Sequence, residues 1–204
     1  ATMNSREGTV VEAGELLAER AETAKEMANE LGKVEDLSEA EKAALFKRVG
    51  YGAIKYFLLK VSPQKSMMFD PKASIDFIGN TGPFIRVNFE RAKRGVRKSG
   101  ELHGALSAST LDASVWDQTE LRIIQLGLHW PNVLKQSASE CDPSLIANHC
   151  YEFTKAYSRW YQDHPILQIE DESLRVARTT ICYFFTQQIE DAMGLLGIQM
   201  PERM

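Results

Sequence analysis

A glycine-rich turn, Gly79-Asn80-Thr81-Gly82-Pro83, leads directly into a stretch in which phenylalanines are interleaved with arginines and lysines. From Arg86 to Lys98, six basic residues (Arg86, Arg91, Lys93, Arg94, Arg97 and Lys98) stand against one acid, Glu90, in a chain whose formal net charge is −4. Such residues suit RNA, because splayed bases stack on aromatic rings while cations bond phosphates and base edges. A basic helix can also be no more than a solvated face. The placing of Phe84 and Phe89 among the cations favours an RNA contact over that plainer reading.

Other chemistry is poorly supplied. No Glu-x-x-His pair occurs, which argues against a di-iron bundle, and neither a phosphate-binding Walker loop nor a Gly-x-Ser-x-Gly elbow is present. The histidines His103, His129, His149 and His164 are scattered without metal-ligand spacing, so no metal site is expected. His149 and Cys150 are neighbours on an expected helix and point in different directions, which excludes them as a dyad. Cys141, Cys150 and Cys182 lack Cys-x-x-Cys spacing and read as thiols of a reducing cytoplasm. At 44% hydrophobic and 25% charged residues the composition is that of a globular protein, with no stretch long enough to span a membrane.

The elements that must position the basic segment are expected to be helices throughout, giving an all-α bundle preceded by an exposed linking helix. Residues 12–42 carry ten acids, four bases and a thin apolar stripe, as in a connecting helix. Ser38 and Glu41 form a capping-box pattern. Behind it Phe46, Val49, Gly50, Ala53, Ile54, Phe57 and Leu58 recur at spacings of three and four, and small residues at 50, 52 and 53 invite a close helix neighbour. Asp70-Pro71 suggests a short helix before the Gly79 turn. Residues 99–115 read as a flexible loop.

Beyond that loop, Leu121, Ile124, Leu128 and Val133 are core candidates, with Pro131 marking a kink or a new start. Asp142-Pro143 opens a helix on which Ile146, Cys150, Phe153, Tyr157 and Trp160 form a buried face. Pro165 ends it. Asp171 starts a last helix with Leu174, Ala177, Ile181, Phe184 or Phe185, Ile189, Met193 and Leu196 inward, stopped by Gly197.

Four segments in this order resemble the arginyl-tRNA synthetase family over essentially the full chain. Gly79-Asn80-Thr81-Gly82-Pro83-Phe84 and the following Arg91 are similar to the start of its anticodon-binding domain, G-N-T-G-P-[YF]-hydrophobic-Q-Y followed by an arginine. Val49-Gly50-Tyr51-Gly52-Ala53-Ile54-Lys55-Tyr56 resembles its V-G-x-x-A-hydrophobic-[KR]-[YF] helix. Leu195-Leu196-Gly197-Ile198 through Pro201-Glu202-Arg203-Met204 resembles its terminal L-L-G-I-x-x-P-E-R-M. Met3-Asn4-Ser5-Arg6-Glu7-Gly8-Thr9-Val10 resembles its form of the class I signature loop. Arg86 and Val87 depart from the Gln and Tyr of the first pattern, which removes a stacking platform and adds a cation.

The resemblance implies a C-terminal third of such an enzyme: residues 1–11 as the remnant of the signature loop, 12–42 as the connecting helix, and 43–204 as the DALR-type anticodon-binding bundle. The full-length enzyme would join arginine to its tRNA using ATP with Mg. No H-x-G-H motif occurs here, so this piece alone is expected to be inactive and to hold no cofactor. Carried over by position, Met3, Asn4, Ser5 and Arg6 belong to the catalytic loop, and Phe84, Arg91, Tyr161 and Met204 to the tRNA contacts. The expected partner is an arginine tRNA, the expected site of action the cytoplasm, and the expected state a monomer. A stand-alone tRNA-binding domain or a helical protein-interaction module are the alternatives. The latter would need no basic aromatic face.

Overall fold

Ser38 starts the first described helix through the reciprocal bonds its position suggests. Its backbone amide donates to Glu41 Oε2 at 2.9 Å, and the Glu41 amide donates to its hydroxyl at 3.4 Å. The computed structural model describes residues 38–67, 76, 78–99, 116–166 and 168–200. Within them run six helices: α1 (Glu39–Leu59), α2 (Gly82–Lys98), α3 (Gln118–Leu128), α4 (Trp130–Glu140), α5 (Ser144–Asp163) and α6 (Glu172–Leu195). Residues 39–42, which the expected division assigns to the connecting helix, form the first turn of α1. The rest of that helix, the expected helix after Asp70, most of the 99–115 loop, Met3 to Arg6 and Met204 lie outside the described residues.

Helix ends follow local chemistry. Asp117 and Glu120 form a second capping box at the start of α3, and Asp171 caps α6. Asp142 accepts from the Ser144 amide at 2.9 Å, one residue further out than a standard cap because Pro143 occupies the cap position. Pro131 marks a new start, with His129 separating α3 from α4. Gly197, at φ +68°, ends the last helix in the left-handed conformation that glycine adopts without strain.

The core lies where α2, α5 and α6 meet. Ile85, Phe89, Ala92 and Val96 of α2 face Ile181, Cys182, Phe185, Ile189, Ala192 and Met193 of α6, and α5 contributes Ile146, Cys150, Phe153, Tyr157 and Trp160. Tyr157 and Phe185 stack with ring centroids 4.0 Å apart. Each such ring withdrawn from water contributes about 2–3 kcal/mol of driving force. Burial pushes the Cys150 and Cys182 thiols up to about 12, so both are inert packing groups.

The expected small-residue approach is present. A Cβ on Gly82 would lie 3.2 Å from Tyr56 Cβ and 3.4 Å from both Ala53 Cα and Gly52 O, so α1 and α2 cross nearly backbone to backbone. Tyr56 is fully buried there, whereas Leu58, expected in the core, is exposed.

The buried face of α3 is one residue out of phase with expectation. Glu120, Ile123 and Gly127 point inward, Leu121 and Ile124 are half-buried, and Leu128 is 68% exposed. Phe184 of α6 explains the rotation: a Cβ on Gly127 would lie 2.2 Å from Phe184 Cε1, so only a bare helix face accommodates the ring.

Candidate nucleic-acid interface

The turn that delivers α2 is fastened at its centre. Asn80 Oδ1 lies 2.6 Å from the Tyr56 hydroxyl, which is also 2.8 Å from Ala147 O. The Asn80 amide donates to Asn148 Oδ1 at 2.9 Å, and Lys60 Nζ donates to Asn80 O at 2.8 Å. Asn148 in turn donates to Lys60 O at 3.1 Å. One asparagine thus ties the turn to α1 and α5 together. Gly79 takes a φ of +84°, and Thr81 caps α2 by accepting from the Phe84 amide at 3.3 Å. The first turn of α2, and Phe84 with it, is therefore fixed in place.

Phe84 lands beside Tyr151 of α5, with ring centroids 5.9 Å apart and planes at 60°. Two turns further along α2, the Arg91 guanidinium sits 5.6 Å from the centre of the Tyr161 ring. Tyr161 leans on the buried Tyr157 at 5.8 Å, and Lys155 Nζ lies 5.7 Å from the Tyr151 ring centre. Phe84, Arg91, Tyr151 and Tyr161 are all half-buried, and Phe84 and Tyr161 pack against the core. The α2–α5 seam therefore carries rings and a cation in one line, a stacking surface flanked by positive charge.

Three sequence-chosen residues, Phe84, Arg91 and Tyr161, are brought together here. Tyr151 was missed. Spacing gave no signal for it: ten residues is about 2.8 turns of α5, which leaves Tyr151 and Tyr161 roughly 80° apart around the helix, and Phe84 on α2 sets its place.

Phe89 and Arg86, by contrast, do not belong to this surface. Phe89 is fully buried among α2, α5 and α6. Arg86 is only 4% exposed, and its Nη2 donates to Gln199 O at 2.7 Å. Both face inward because the inner stripe of α2 runs through 85, 86, 89, 92 and 96, leaving 84, 87, 91, 94 and 98 on the other side. The cation that Arg86 adds to the family pattern is thus enclosed. Lys93 pairs with Glu190 at 3.0 Å, and Arg97 lies 3.9 Å from Glu90. Arg94 and Lys98 remain exposed beside Arg91.

Asp117, Glu120 and His164 converge where the start of α3 meets the end of α5, their candidate ligand atoms within 4.8 Å of one another. Those atoms already serve the fold. Glu120 Oε1 accepts from Arg178 Nε at 2.8 Å and Trp160 Nε1 at 3.3 Å, and its Oε2 accepts from the Asp117 amide at 2.9 Å. Burial works to raise the Asp117 carboxyl, but hydrogen bonds from Thr119, the Glu120 amide and His164 outweigh it and hold it well below the usual carboxylate range. Arg178 supplies the positive charge that a metal would bring.

The profile of the DALR anticodon binding domain family matches residues 85–204. The chain is 43% identical over 203 residues to the arginine–tRNA ligase of Phocaeicola vulgatus, covering 99% of this chain and 33% of that protein. It is 42% identical over 207 residues to the arginine–tRNA ligase of Flavobacterium psychrophilum, again spanning 33% of it. In fold it is similar to the arginyl-tRNA synthetase of Thermus thermophilus, with a TM-score of 0.85 at 24% identity over 97% of this chain and 33% of that one. The arginyl-tRNA synthetase of Plasmodium falciparum matches with a TM-score of 0.82 at 21% identity, over 96% and 34% of the two chains. The chain thus spans about a third of the length of the relatives it matches.

Proposed function

The chain belongs to the DALR anticodon binding domain family, and from that premise we propose that it binds the anticodon loop of an arginine tRNA as part of an arginine–tRNA ligase. The observation that carries this reading is the α2–α5 seam, where Phe84, Tyr151 and Tyr161 offer ring surface and Arg91 a cation held over Tyr161. Bases turned out of the anticodon loop stack on the rings, and Arg91 bonds a phosphate or a base edge. The Asn80 network keeps this surface from having to form on binding, which lowers the ordering cost of association.

In the longer enzyme the activity is the ATP-dependent attachment of arginine to tRNA in the cytoplasm. Met3, Asn4, Ser5 and Arg6 join the catalytic loop, where cationic and backbone donors would stabilise the negative charge of the ATP phosphates, which bind together with Mg. Met204 adds a terminal contact to the anticodon loop. The working unit is a monomer.

The test is fluorescence anisotropy with this chain and a set of anticodon stem-loop RNAs differing only in the anticodon. The arginine anticodon should bind tightest, and Arg91→Ala should weaken it by about 1–3 kcal/mol with the melting temperature unchanged. Equal affinity for every anticodon would refute the reading.

A further inference from the structure

The α2–α5 seam holds two buried polar atoms that the fold leaves unused. Phe84 meets Tyr151 at one place along it and Arg91 meets Tyr161 at another, so the stretch of each helix between those contacts faces the other helix. On α2 that stretch contains Asn88, one turn from Phe84 and one turn from Arg91 on the same flank. On α5 it contains Thr154, three residues after Tyr151 and seven before Tyr161. Asn88 is 3% exposed and Thr154 is fully buried, yet neither Asn88 Oδ1 nor Thr154 Oγ1 has a hydrogen-bond partner among the described residues. Polar atoms withdrawn from water and left unpaired destabilise a fold, whereas Leu and Val would fill the same space without that penalty.

The Asn88 amide has one orientation. Its Nδ2 donates to Phe84 O at 2.9 Å, one turn back, and the reversed amide would set Oδ1 against that carbonyl oxygen. Oδ1 is therefore the atom left to accept. The side chains to either side are lightly held. Arg91 makes no hydrogen bond or ion pair among the described residues and rests against the Tyr161 ring, while Phe84 and Tyr151 meet as tilted rings.

We propose that Asn88 and Thr154 read the Watson–Crick edge of an anticodon-loop base that carries an exocyclic amino group, cytosine or adenine, inserted between the Phe84–Tyr151 and Arg91–Tyr161 contacts. This assignment rests on the RNA-binding reading. The lightly held side chains swing outward on fixed helices, and the base enters with its faces towards the rings. Asn88 Oδ1 accepts from the amino group, and the Thr154 hydroxyl donates to the adjacent ring nitrogen, N3 of cytosine or N1 of adenine. Uracil and guanine present a carbonyl oxygen in place of that amino group, so Oδ1 would face a second acceptor. Rings stack on any base, because every base has a π-face. Asn88 and Thr154 supply what stacking lacks, a choice among bases.

The test titrates the whole chain with an arginine anticodon stem-loop in which each cytosine and adenine of the loop is replaced in turn by the base without its amino group, pyrimidin-2-one or purine. In the unsubstituted chain one replacement should weaken binding about tenfold. In Asn88→Leu the same replacement should weaken it less than about twofold, and the variant should melt no lower than its parent because the unpaired acceptor is gone. Thr154→Val keeps the side-chain shape and loses only the hydroxyl, so it carries the comparison even where Asn88→Leu does not fold. Its probe is the deaza analogue of the same base, carbon for the ring nitrogen, which should weaken binding to the unsubstituted chain and not to Thr154→Val. Thr179→Val removes another buried, unpartnered hydroxyl, on α6, and should leave every effect unchanged. No damaging replacement in the unsubstituted chain, or one whose effect persists in both seam variants, overturns the proposal and leaves the RNA reading standing. Equal affinity of the unsubstituted chain for every anticodon removes the RNA reading and this assignment with it.

Discussion

His149 shows how a single residue can be decided by its surroundings rather than its chemistry. Its ring lies between Trp130, at a centroid distance of 5.4 Å, and Phe153, at 6.0 Å, both nearly parallel to it. Its buried Nε2 has no hydrogen-bond partner. Burial pushes the imidazole down to about 4, with His129 acting in the same direction. The folded chain therefore binds a proton on this ring less readily than the unfolded chain, whose ordinary value is about 6.5. Stability is fully present above the unfolded value and declines as the pH falls from about 6.5 towards 4, by on the order of 2 kcal/mol at pH 4.5. His149→Phe keeps an aromatic ring between its neighbours and removes the titration. Urea denaturation at pH 7 and pH 4.5 should show a smaller stability difference for the variant than for the unsubstituted chain. Equal differences would assign the acid sensitivity to groups other than His149.

At the scale of elements, α3 and α6 meet through a missing side chain. A methyl group on Gly127 would come within 2.2 Å of Phe184 Cε1 and 2.8 Å of Gln188 Oε1, whose amide nitrogen also donates to Gly127 O at 3.0 Å. Alanine is the better helix former by about 1 kcal/mol, but overpacking costs about 1–3 kcal/mol. Gly127→Ala should therefore lower stability by up to about 2 kcal/mol, with partial recovery on combining it with Phe184→Leu. An alanine variant that melts higher than the parent would show that the ring simply swings aside. The same contact explains what the sequence could not reveal about α3. Its apolar residues fit the helical period in two frames one position apart, Leu121-Ile124-Leu128 and Ile123-Gly127, and only the ring on α6 selects the second. On α5 the large apolar residues fit one frame alone, and that face was readable directly: Ile146, Cys150, Phe153, Tyr157 and Trp160 are all buried. The seam divides in the same way. Residue type and family resemblance identified Phe84, Arg91 and Tyr161, but Tyr151 owes its place to a ring on another helix. Arg86 and Phe89 looked like surface groups because charge and aromaticity do not state which way a side chain faces.

For the whole molecule, electrostatics follows from how few of the cations on α2 reach solvent unengaged. Formal charge along Arg86–Lys98 suggests a strongly basic strip, yet Arg86 is enclosed against the C-terminal segment, Lys93 pairs with Glu190 and Arg97 approaches Glu90. Arg91, Arg94 and Lys98 remain on that helix, with Lys155 across the seam. The chain as a whole carries a formal charge of −4, so long-range attraction of RNA is weak and binding depends on short-range stacking. Three or four phosphate contacts on a single-stranded loop predict a slope of log affinity against log salt of about −2 to −3, whereas all six basic residues of the segment would give about −4. Titrating the arginine anticodon stem-loop between roughly 50 and 200 mM salt measures that slope directly. Arg94→Ala should make it shallower by about 0.7 with little change in preference among anticodons, because a phosphate contact carries no sequence information. Phe84→Ala should leave the slope alone and lower the affinity at every salt concentration, since stacking releases no counterions. A slope near −4, or one that Phe84→Ala changes as much as Arg94→Ala does, would mean that RNA is held by a surface other than the α2–α5 seam.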